Sequence, residues 1–215
     1  MKQPTELKLK PEENKVTEKS ISIKPLVKKI LKVKITGITP VLSNKMDMEV
    51  VEAIDRKKSG KFTSKKVDKS ASDKVMDKVW YDEQKRVCLP TAGFMHGMIE
   101  NAVYIDGMDK KLVRGSVSMI ANLVPIKFKK QMINTAWGRT SGISKSPHLI
   151  LRPEFQDWEC ELKLMYNSSN ISEEQIINLI NWAGFQTGIG SWRRSSNGVY
   201  GQYQVGDQKT EVVSV

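Results

Sequence analysis

A chain of 215 residues that is 39% hydrophobic and 27% charged has an ordinary globular composition and room for one sizeable core, which excludes a wholly disordered protein. Its 35 Lys and Arg exceed its 24 Asp and Glu by 11 charges, which makes nucleic acid the expected partner, with a merely lysine-rich surface as the alternative. No apolar run approaches the roughly 18 to 20 residues of a membrane span and no signal-peptide core is present, so we expect a cytoplasmic protein without membrane contact.

The chain divides by composition into three parts and one insertion. Residues 1–28 are rich in lysine and glutamate without apolar periodicity, which predicts a mobile basic arm. A single ordered domain is expected over residues 29–206, followed by a short tail at 207–215. Residues 46–78 form an insertion that begins with a predicted helix and continues as a lysine- and serine-rich stretch. Such an insertion in a compact domain is usually functional or disordered.

The ordered part begins with a predicted strand at residues 30–36. Apolar and basic residues alternate there with a period of two, which places one face in the core and leaves the other face basic. The apolar members are Leu31, Val33 and Ile35, and the lysines between them are Lys32 and Lys34.

A hairpin and a helix follow the insertion. Residues 79–89 are strand-like on both sides of a polar turn, which predicts the hairpin. Pro90 and the candidate cap Thr91 then precede a predicted helix. The apolar residues that recur at helical spacing are Phe94, Met98, Ile99 and Ala102.

The middle of the chain is expected to supply further strands. Residues 112–130 have the composition of strand material, with lysines gathered at the end, and the Gly- and Ser-rich residues 131–147 are predicted to form a loop. Residues 158–166 alternate cleanly between apolar and charged side chains, which predicts a half-buried strand.

The clearest helix signal starts at Ser172. Ser172 and Gln175 stand in the capping-box relation, and two glutamates occupy the first turn, where the helix dipole favours negative charge. Gly184 is expected to end this helix, and a final strand is predicted at 199–205 after a glycine-rich loop. The apolar stripe contains Ile176, Leu179, Ile180 and Ala183.

The order of these elements predicts the fold class. Strand, helix, strand, strand, helix and strand follow one another, with the basic insertion between the first strand and the first helix. This order matches a split β-α-β fold, the ferredoxin-like or RRM-like α+β sandwich with an antiparallel sheet. Both helices of such a sandwich cover one face of the sheet, which leaves the other face open to single-stranded nucleic acid.

Few residues suggest catalysis or metal binding. His96 and His148 lie far apart without Cys or acidic residues at metal-ligand spacing, so no metal site and no cofactor are expected. His96 is more typical of a helix-surface histidine than of a general acid or base, and Asp47 alone is weak evidence for a metal-dependent nuclease. Cys88 and Cys160 occupy apolar stretches and are expected to be reduced core residues.

The segment from Gly184 to Tyr203 is the most informative motif. Its GIG sequence follows a helix and precedes a strand, the wrong context for a dinucleotide-binding loop. A linker is also disfavoured because three aromatic residues would be exposed to water. The remaining interpretation is a tight loop that offers backbone amides, Arg193 and Arg194 to phosphates. Trp192 is expected either to stack on a base or to seal the core.

Three segments resemble the RAMP superfamily, the RRM-like proteins of CRISPR effector complexes. GIGSWRRSSNGVYGQYQV resembles the superfamily's glycine-rich loop, RVCLPTAGFMHGMIENA its strand-proline-helix element and VKITGITPVLSN its opening strand and turn. The closest likeness is to small uncharacterised members from bacteriophages and mobile elements. The histidine arrangement of the superfamily's guide-processing endoribonucleases is not evident, which disfavours an enzyme.

The resemblance implies a backbone-type subunit that binds single strands and assembles head to tail along them, with the insertion as a thumb. The contacts it implies are Thr91, His96, Trp192, Arg193, Arg194 and the lysines of the thumb region, Lys45, Lys57, Lys58, Lys61, Lys65 and Lys66. Charge patterning adds Lys32, Lys34, Lys127, Lys129, Lys130 and Arg139.

The leading prediction is therefore a non-enzymatic protein that binds single-stranded RNA or DNA and forms homo-oligomers along it, with other effector subunits as further partners. The first alternative is a phage single-stranded-DNA-binding protein for replication or recombination. The second is an RNA-cleaving endoribonuclease that depends on His96 or Asp47. The third is an adaptor whose basic surface meets an acidic protein.

Overall fold

A computed structural model describes residues 26–46, 75–139, 147–206 and 211–214. Most of the predicted arm and most of the predicted insertion, including its helix, therefore lie outside the described residues. Within them, no helix is long and apolar enough to cross a membrane.

The described residues form eleven strands and three α-helices. The strands are β1 (Lys28–Gly37), β2 (Val41–Leu42), β3 (Trp80–Tyr81), β4 (Val87–Pro90), β5 (Val117–Met119), β6 (Leu123–Lys127), β7 (Lys130–Arg139), β8 (Pro147–Gln156), β9 (Glu159–Asn167), β10 (Tyr203–Val205) and β11 (Glu211–Ser214). The helices are α1 (Thr91–Asn101), α2 (Lys110–Ser116) and α3 (Glu173–Trp182).

The main sheet has the ferredoxin-like topology, which confirms the predicted fold class. Its strand order among the described residues is β10-β1-β9-β6-β4-β3, and β1 pairs with β9 antiparallel from Lys28 opposite Asn167 to Thr36 opposite Glu159. The fourth, first, third and second strands of a split β-α-β fold therefore lie side by side. β5 also pairs with β9, and β11, which falls within the predicted tail, pairs with β1.

The core lies between this sheet and the helices. Buried and more exposed side chains alternate along β1 and β9 as predicted. Leu31, Val33 and Ile35 of β1 and the apolar positions of β9 are buried. The apolar stripe of α3 is also buried, and its capping box forms as predicted, with Gln175 N–H donating to Ser172 Oγ at 3.2 Å. Cys88 and Cys160 are buried and free, as expected.

Two predicted stretches have a different structure. The first residues of the expected strand at 112–130 belong to helix α2, whose amides are capped by the side chain of Asp109. Most of the expected loop at 131–147 is strand β7, which pairs with β8 along ten residue pairs and forms a second sheet with β2. Hydrogen bonds to β8 hold this segment as a strand, and its polar sequence gives no local sign of that pairing.

Thr91 is not the cap of helix α1. It is the first helical residue, Pro90 occupies the cap position, and no side chain caps the helix. The Thr91 hydroxyl instead donates to the carbonyl of Ala121 at 2.5 Å, and the residue is buried. The helix start is therefore tied to the segment between β5 and β6.

Candidate nucleic-acid interface

The glycine-rich loop begins one turn later than predicted. Gly184 does not end the helix, because residues Ala183–Thr187 continue α3 as a π-helical turn that closes with Gly188 N–H donating to the Ala183 carbonyl at 2.8 Å. A Cβ on Gly184 would collide with the carbonyl of Tyr203, so this glycine lets the turn pack against β10. The chain leaves the turn at Gly188, in the left-handed region at φ 71°.

A buried polar contact fixes the π-helical turn against helix α1. The Asn101 side-chain amide donates to Thr187 Oγ1 at 2.7 Å and to the Gly97 carbonyl at 2.8 Å. Gly97 also lets Ala183 approach the helix backbone closely. Because Asn101 and Thr187 are both buried, these hydrogen bonds are shielded from water and position the loop precisely relative to α1.

The loop itself is held by its own backbone. The amides of Ile189, Ser191 and Gly201 donate at 2.8 to 2.9 Å to the carbonyls of Gly201, Leu42 and Pro40. Gly190, at φ 82°, lies so close to β2 that a Cβ would be 2.6 Å from the Leu42 carbonyl oxygen. These amides are engaged within the fold, so the loop meets a ligand mainly through its side chains.

A cleft of about 570 Å³ opens between this loop, the start of α1 and the segment after β2. We call it the loop cleft. Its polar and aromatic lining residues are Ser43, Asn44, Trp80, His96, Ser191, Trp192, Arg193 and Ser196, and no carboxylate lies among its described lining residues. Lys45 stands beside it, with its Nζ 5.6 Å from the centre of the Trp80 ring. The cleft therefore combines positive charge with aromatic surface.

Trp192 does not seal the core. It is half-buried at the edge of the loop cleft, and its ring stacks on the guanidinium of Arg152, with the Arg152 Cζ 4.0 Å from the ring centre. Its backbone is left-handed, at φ 49°. Burial lowers the pKa of Arg152 from its ordinary value. Sequence reasoning missed Arg152, although an arginine within the apolar run of β8 was a signal that its charge has a special environment.

The two predicted loop arginines occupy different positions. Arg193 lines the loop cleft, and its Nε donates to Ser195 Oγ at 2.9 Å. Arg194 is exposed and stacks on the exposed ring of Phe185, with its Cζ 4.3 Å from the ring centre. Neither guanidinium is within salt-bridge distance of a described carboxylate. Both can therefore meet phosphates without first breaking an ion pair.

His96 is exposed on helix α1 and lines the loop cleft. No described His, Cys, Asp and Glu side chains form a group of three that could hold a metal ion. Asp47, the other residue considered for catalysis, lies outside the described residues, as do Lys57, Lys58, Lys61, Lys65 and Lys66.

A second cleft, of about 740 Å³, lies on the open face of the main sheet. We call it the sheet groove. It is lined by Lys32 and Lys34 of β1, Thr91, Lys127, the β9 residues Glu159, Glu161 and Lys163, and Arg86 among others. The structure thus places part of the predicted contacts in two clefts that share no lining residue and that border the junction of β4 and α1.

Charges in the sheet groove are largely paired. Lys34 lies 3.0 Å from Glu159, Lys163 lies 3.5 Å from Glu161, and Arg86 lies 2.7 Å from Asp82. Lys32 also has an interaction partner. Aromatic rings, on which bases could stack, are absent from its described lining residues.

The remaining predicted contacts lie near the base and tip of the β7–β8 hairpin. Lys129 and Lys130 are exposed where β7 begins, and Lys129 lies 3.8 Å from Asp157. The sequence predicted that Arg139 lies in a loop, but it is the last residue of strand β7. The structure therefore does not bring Lys129 and Lys130 to either cleft.

Comparison with known proteins places the fold. No family model matches the chain, and no curated protein matches it. It is similar to one chain of the cryo-EM structure of the Type III-B Cmr-beta bound to cognate target RNA, with a TM-score of 0.53 and 11% sequence identity. The match covers 87% of this chain and 61% of that chain, so this chain spans less than two thirds of its neighbour's length. The likeness shows a shared α+β fold.

Proposed function

We propose that this protein binds single-stranded nucleic acid, RNA or DNA, in the loop cleft and does not act on it as an enzyme. The observation that carries the proposal is a cleft without a described lining carboxylate that is lined by His96, Trp192 and Arg193, with Lys45 Nζ 5.6 Å from the ring centre of its further lining residue Trp80. Cations of this kind bind phosphates, and aromatic rings accept stacked bases of any sequence.

Two further findings support this proposal. The net charge of +11 favours a polyanionic partner. The fold is shared with a chain from a structure of the Type III-B Cmr-beta bound to cognate target RNA. We therefore extend the proposal to a subunit similar to the backbone proteins of the RAMP superfamily, which assembles in several copies along its strand.

Fluorescence anisotropy with labelled single strands of RNA and DNA and with a matched duplex tests the proposal. We expect single strands to bind more tightly than the duplex, with an affinity that falls steeply between about 50 and 200 mM salt. Absence of binding at the lower salt concentration, or an affinity indifferent to salt, contradicts it. Sedimentation with strands of increasing length then measures the number of protein copies per strand, which should rise with length.

The same samples test the non-catalytic part of the proposal. Labelled RNA should remain intact after long incubation with the protein. If the wild type shortens the RNA and the His96→Ala variant leaves it intact, the endoribonuclease alternative replaces the proposal, since His96 lines the loop cleft.

A further inference from the structure

Arg152 has an unusual environment for a charged side chain. Its guanidinium lies over the ring of Trp192, and two of its nitrogens, Nε and Nη1, are buried without any hydrogen-bond acceptor among the described residues. An arginine side chain carries five N–H donors and no acceptor, so it cannot satisfy these groups itself. Buried donors without partners are destabilising and are rare in folded proteins.

The polar groups around Arg152 are committed elsewhere. Glu154, two residues along the same face of β8, is buried and accepts from Asn134 Nδ2 at 2.9 Å and from Gln156 Nε2 at 2.8 Å. Asn134, which pairs with Arg152 across the strands, also donates to the Tyr200 hydroxyl at 2.8 Å. The nearby carboxylate therefore does not neutralise the guanidinium, although it lies on the adjacent position of that face.

We propose that Arg152 and Trp192 form an anion site that receives a phosphate group of the bound strand. This inference rests on the proposed function and adds a binding residue from β8 to it. Trp192 lines the loop cleft, and the Arg152 Cζ lies 4.0 Å from its ring centre, so an anion bound at the edge of the indole would lie close to the guanidinium, although Arg152 itself is not a lining residue. The planar fork of arginine binds phosphate through two parallel hydrogen bonds, and stacking on an aromatic ring holds that plane in place.

Three full-length variants test the site. Arg152→Met removes the charge and donors but keeps apolar volume over Trp192, and Arg152→Lys keeps the charge but not the fork. Arg114→Met is the matched control, because Arg114 is exposed on α2 and lies over no described aromatic ring. In anisotropy titrations with a single strand, Arg152→Met should reduce the magnitude of the negative slope of log affinity against log salt by about 0.7, the value for one lost phosphate contact. Arg152→Lys should keep the slope at lower affinity, and Arg114→Met should keep both.

Thermal unfolding tests the anion site separately from the proposed binding of single strands. Pyrophosphate should raise the melting temperature of the wild type and of Arg114→Met but not of Arg152→Met. Without added anion, Arg152→Met should melt no lower than the wild type, because it removes an uncompensated buried charge. If single strands bind but the Arg152→Met slope is unchanged, the anion site is refuted while the proposed function stands.

The opposite outcome is also informative. If no single strand binds but the pyrophosphate effect depends on Arg152, the site stands as an anion site and the proposed function fails. A lower melting temperature of Arg152→Met with no pyrophosphate effect on the wild type would make Arg152 a structural residue and overturn the inference.

Discussion

The sheet groove and the surroundings of the loop cleft both contain several cations, but these cations have different partners. In the sheet groove Lys34 and Lys163 each lie within 3.5 Å of a carboxylate. Around the loop cleft Lys45, Arg152 and Arg194 instead face the aromatic rings of Trp80, Trp192 and Phe185. A cation that lies on a ring keeps its charge uncompensated, whereas one paired with a carboxylate must break that pair before it binds phosphate.

The comparison teaches that positive charge on a strand is not by itself a binding signal. The alternating lysines of β1 resemble a basic binding face in the sequence, yet Lys34 is directly opposite Glu161 of β9 and lies 3.0 Å from Glu159. The cross-strand partners decide whether such lysines are available. We therefore favour the loop cleft over the open sheet face as the binding surface.

The largest effect is expected from Gly201→Ala, because the loop cleft depends on backbone geometry. Gly201 has φ 71°, and a Cβ there would collide with the Ile189 carbonyl. We expect a loss of about 3 kcal/mol in the free energy of unfolding, measured by urea denaturation.

Gly107→Ala is the matched control for that variant. Gly107 has φ 72° but no atom within 4 Å of the added Cβ, so it reports backbone strain alone, about 1 kcal/mol. Equal losses for the two variants would show that the close approach of Gly201 to Ile189 does not shape the loop.

Paired charge removal compares the two arginines of the glycine-rich loop with two lysines of the sheet groove. We expect Arg193→Gln with Arg194→Gln to weaken single-strand binding about 30-fold, and Lys34→Gln with Lys127→Gln to weaken it less than about threefold. Both double variants lose two positive charges, so any difference reflects position rather than net charge. Equal losses in anisotropy titrations would restore the open sheet face as a binding surface.

A smaller effect is expected at the contact that links the loop to helix α1. Asn101→Ala leaves Thr187 Oγ1 without its buried donor and should cost about 1.5 kcal/mol of unfolding free energy. A double-mutant cycle with Thr187→Val should give a coupling energy of about 1 kcal/mol, because the two side chains share one hydrogen bond. Additive losses would mean that the contact does not hold the loop against the helix.

Much of the fold was predictable because its signals are local. β1 and β9 each bury one face, so their alternation is visible in the sequence, and the capping box at Ser172 and Gln175 marks the start of α3. Strand β7 was mispredicted because its polar residues have no local periodicity, and its ten pairs with β8 are non-local. The end of α3 was misplaced because Gly184 is required for packing against Tyr203 rather than for a cap.

The candidate site was only half predictable. The individual residues His96, Trp192 and Arg193 followed from their types and motifs, but their convergence with Lys45 depends on tertiary structure. Arg152 could not be assigned to the site from sequence, because its proposed role depends on contact with Trp192, which lies on a loop that is distant in the chain. The pairing of Lys34 with Glu159 likewise depends on the register between β1 and β9.

The smallest effect is expected at Lys29 of β1, which we expect to contribute to folding rather than to binding. Lys29 lies 3.1 Å from Glu173 at the start of α3, and the Tyr166 hydroxyl donates to the same carboxylate. The hydrogen bond from Tyr166, then one from the backbone of Glu173 itself and then the one from Lys29 lower the pKa of Glu173 to about 2. Because the unfolded-state pKa is about 4.3, this stabilisation is complete above pH 4.3 and is lost as the pH falls toward 2.

The unfolding free energies of the wild type and Glu173→Gln should therefore differ by a constant amount near neutral pH and converge in the acid range, as measured by urea denaturation at a series of pH values. Tyr166→Phe removes the first donor to Glu173, so its loss of stability should also shrink as the carboxylate is protonated. A difference that persists unchanged to low pH would show that the Glu173 carboxylate is not the titrating group. Single-strand affinity at neutral pH should be unaffected in Glu173→Gln, since this pair lies in neither cleft.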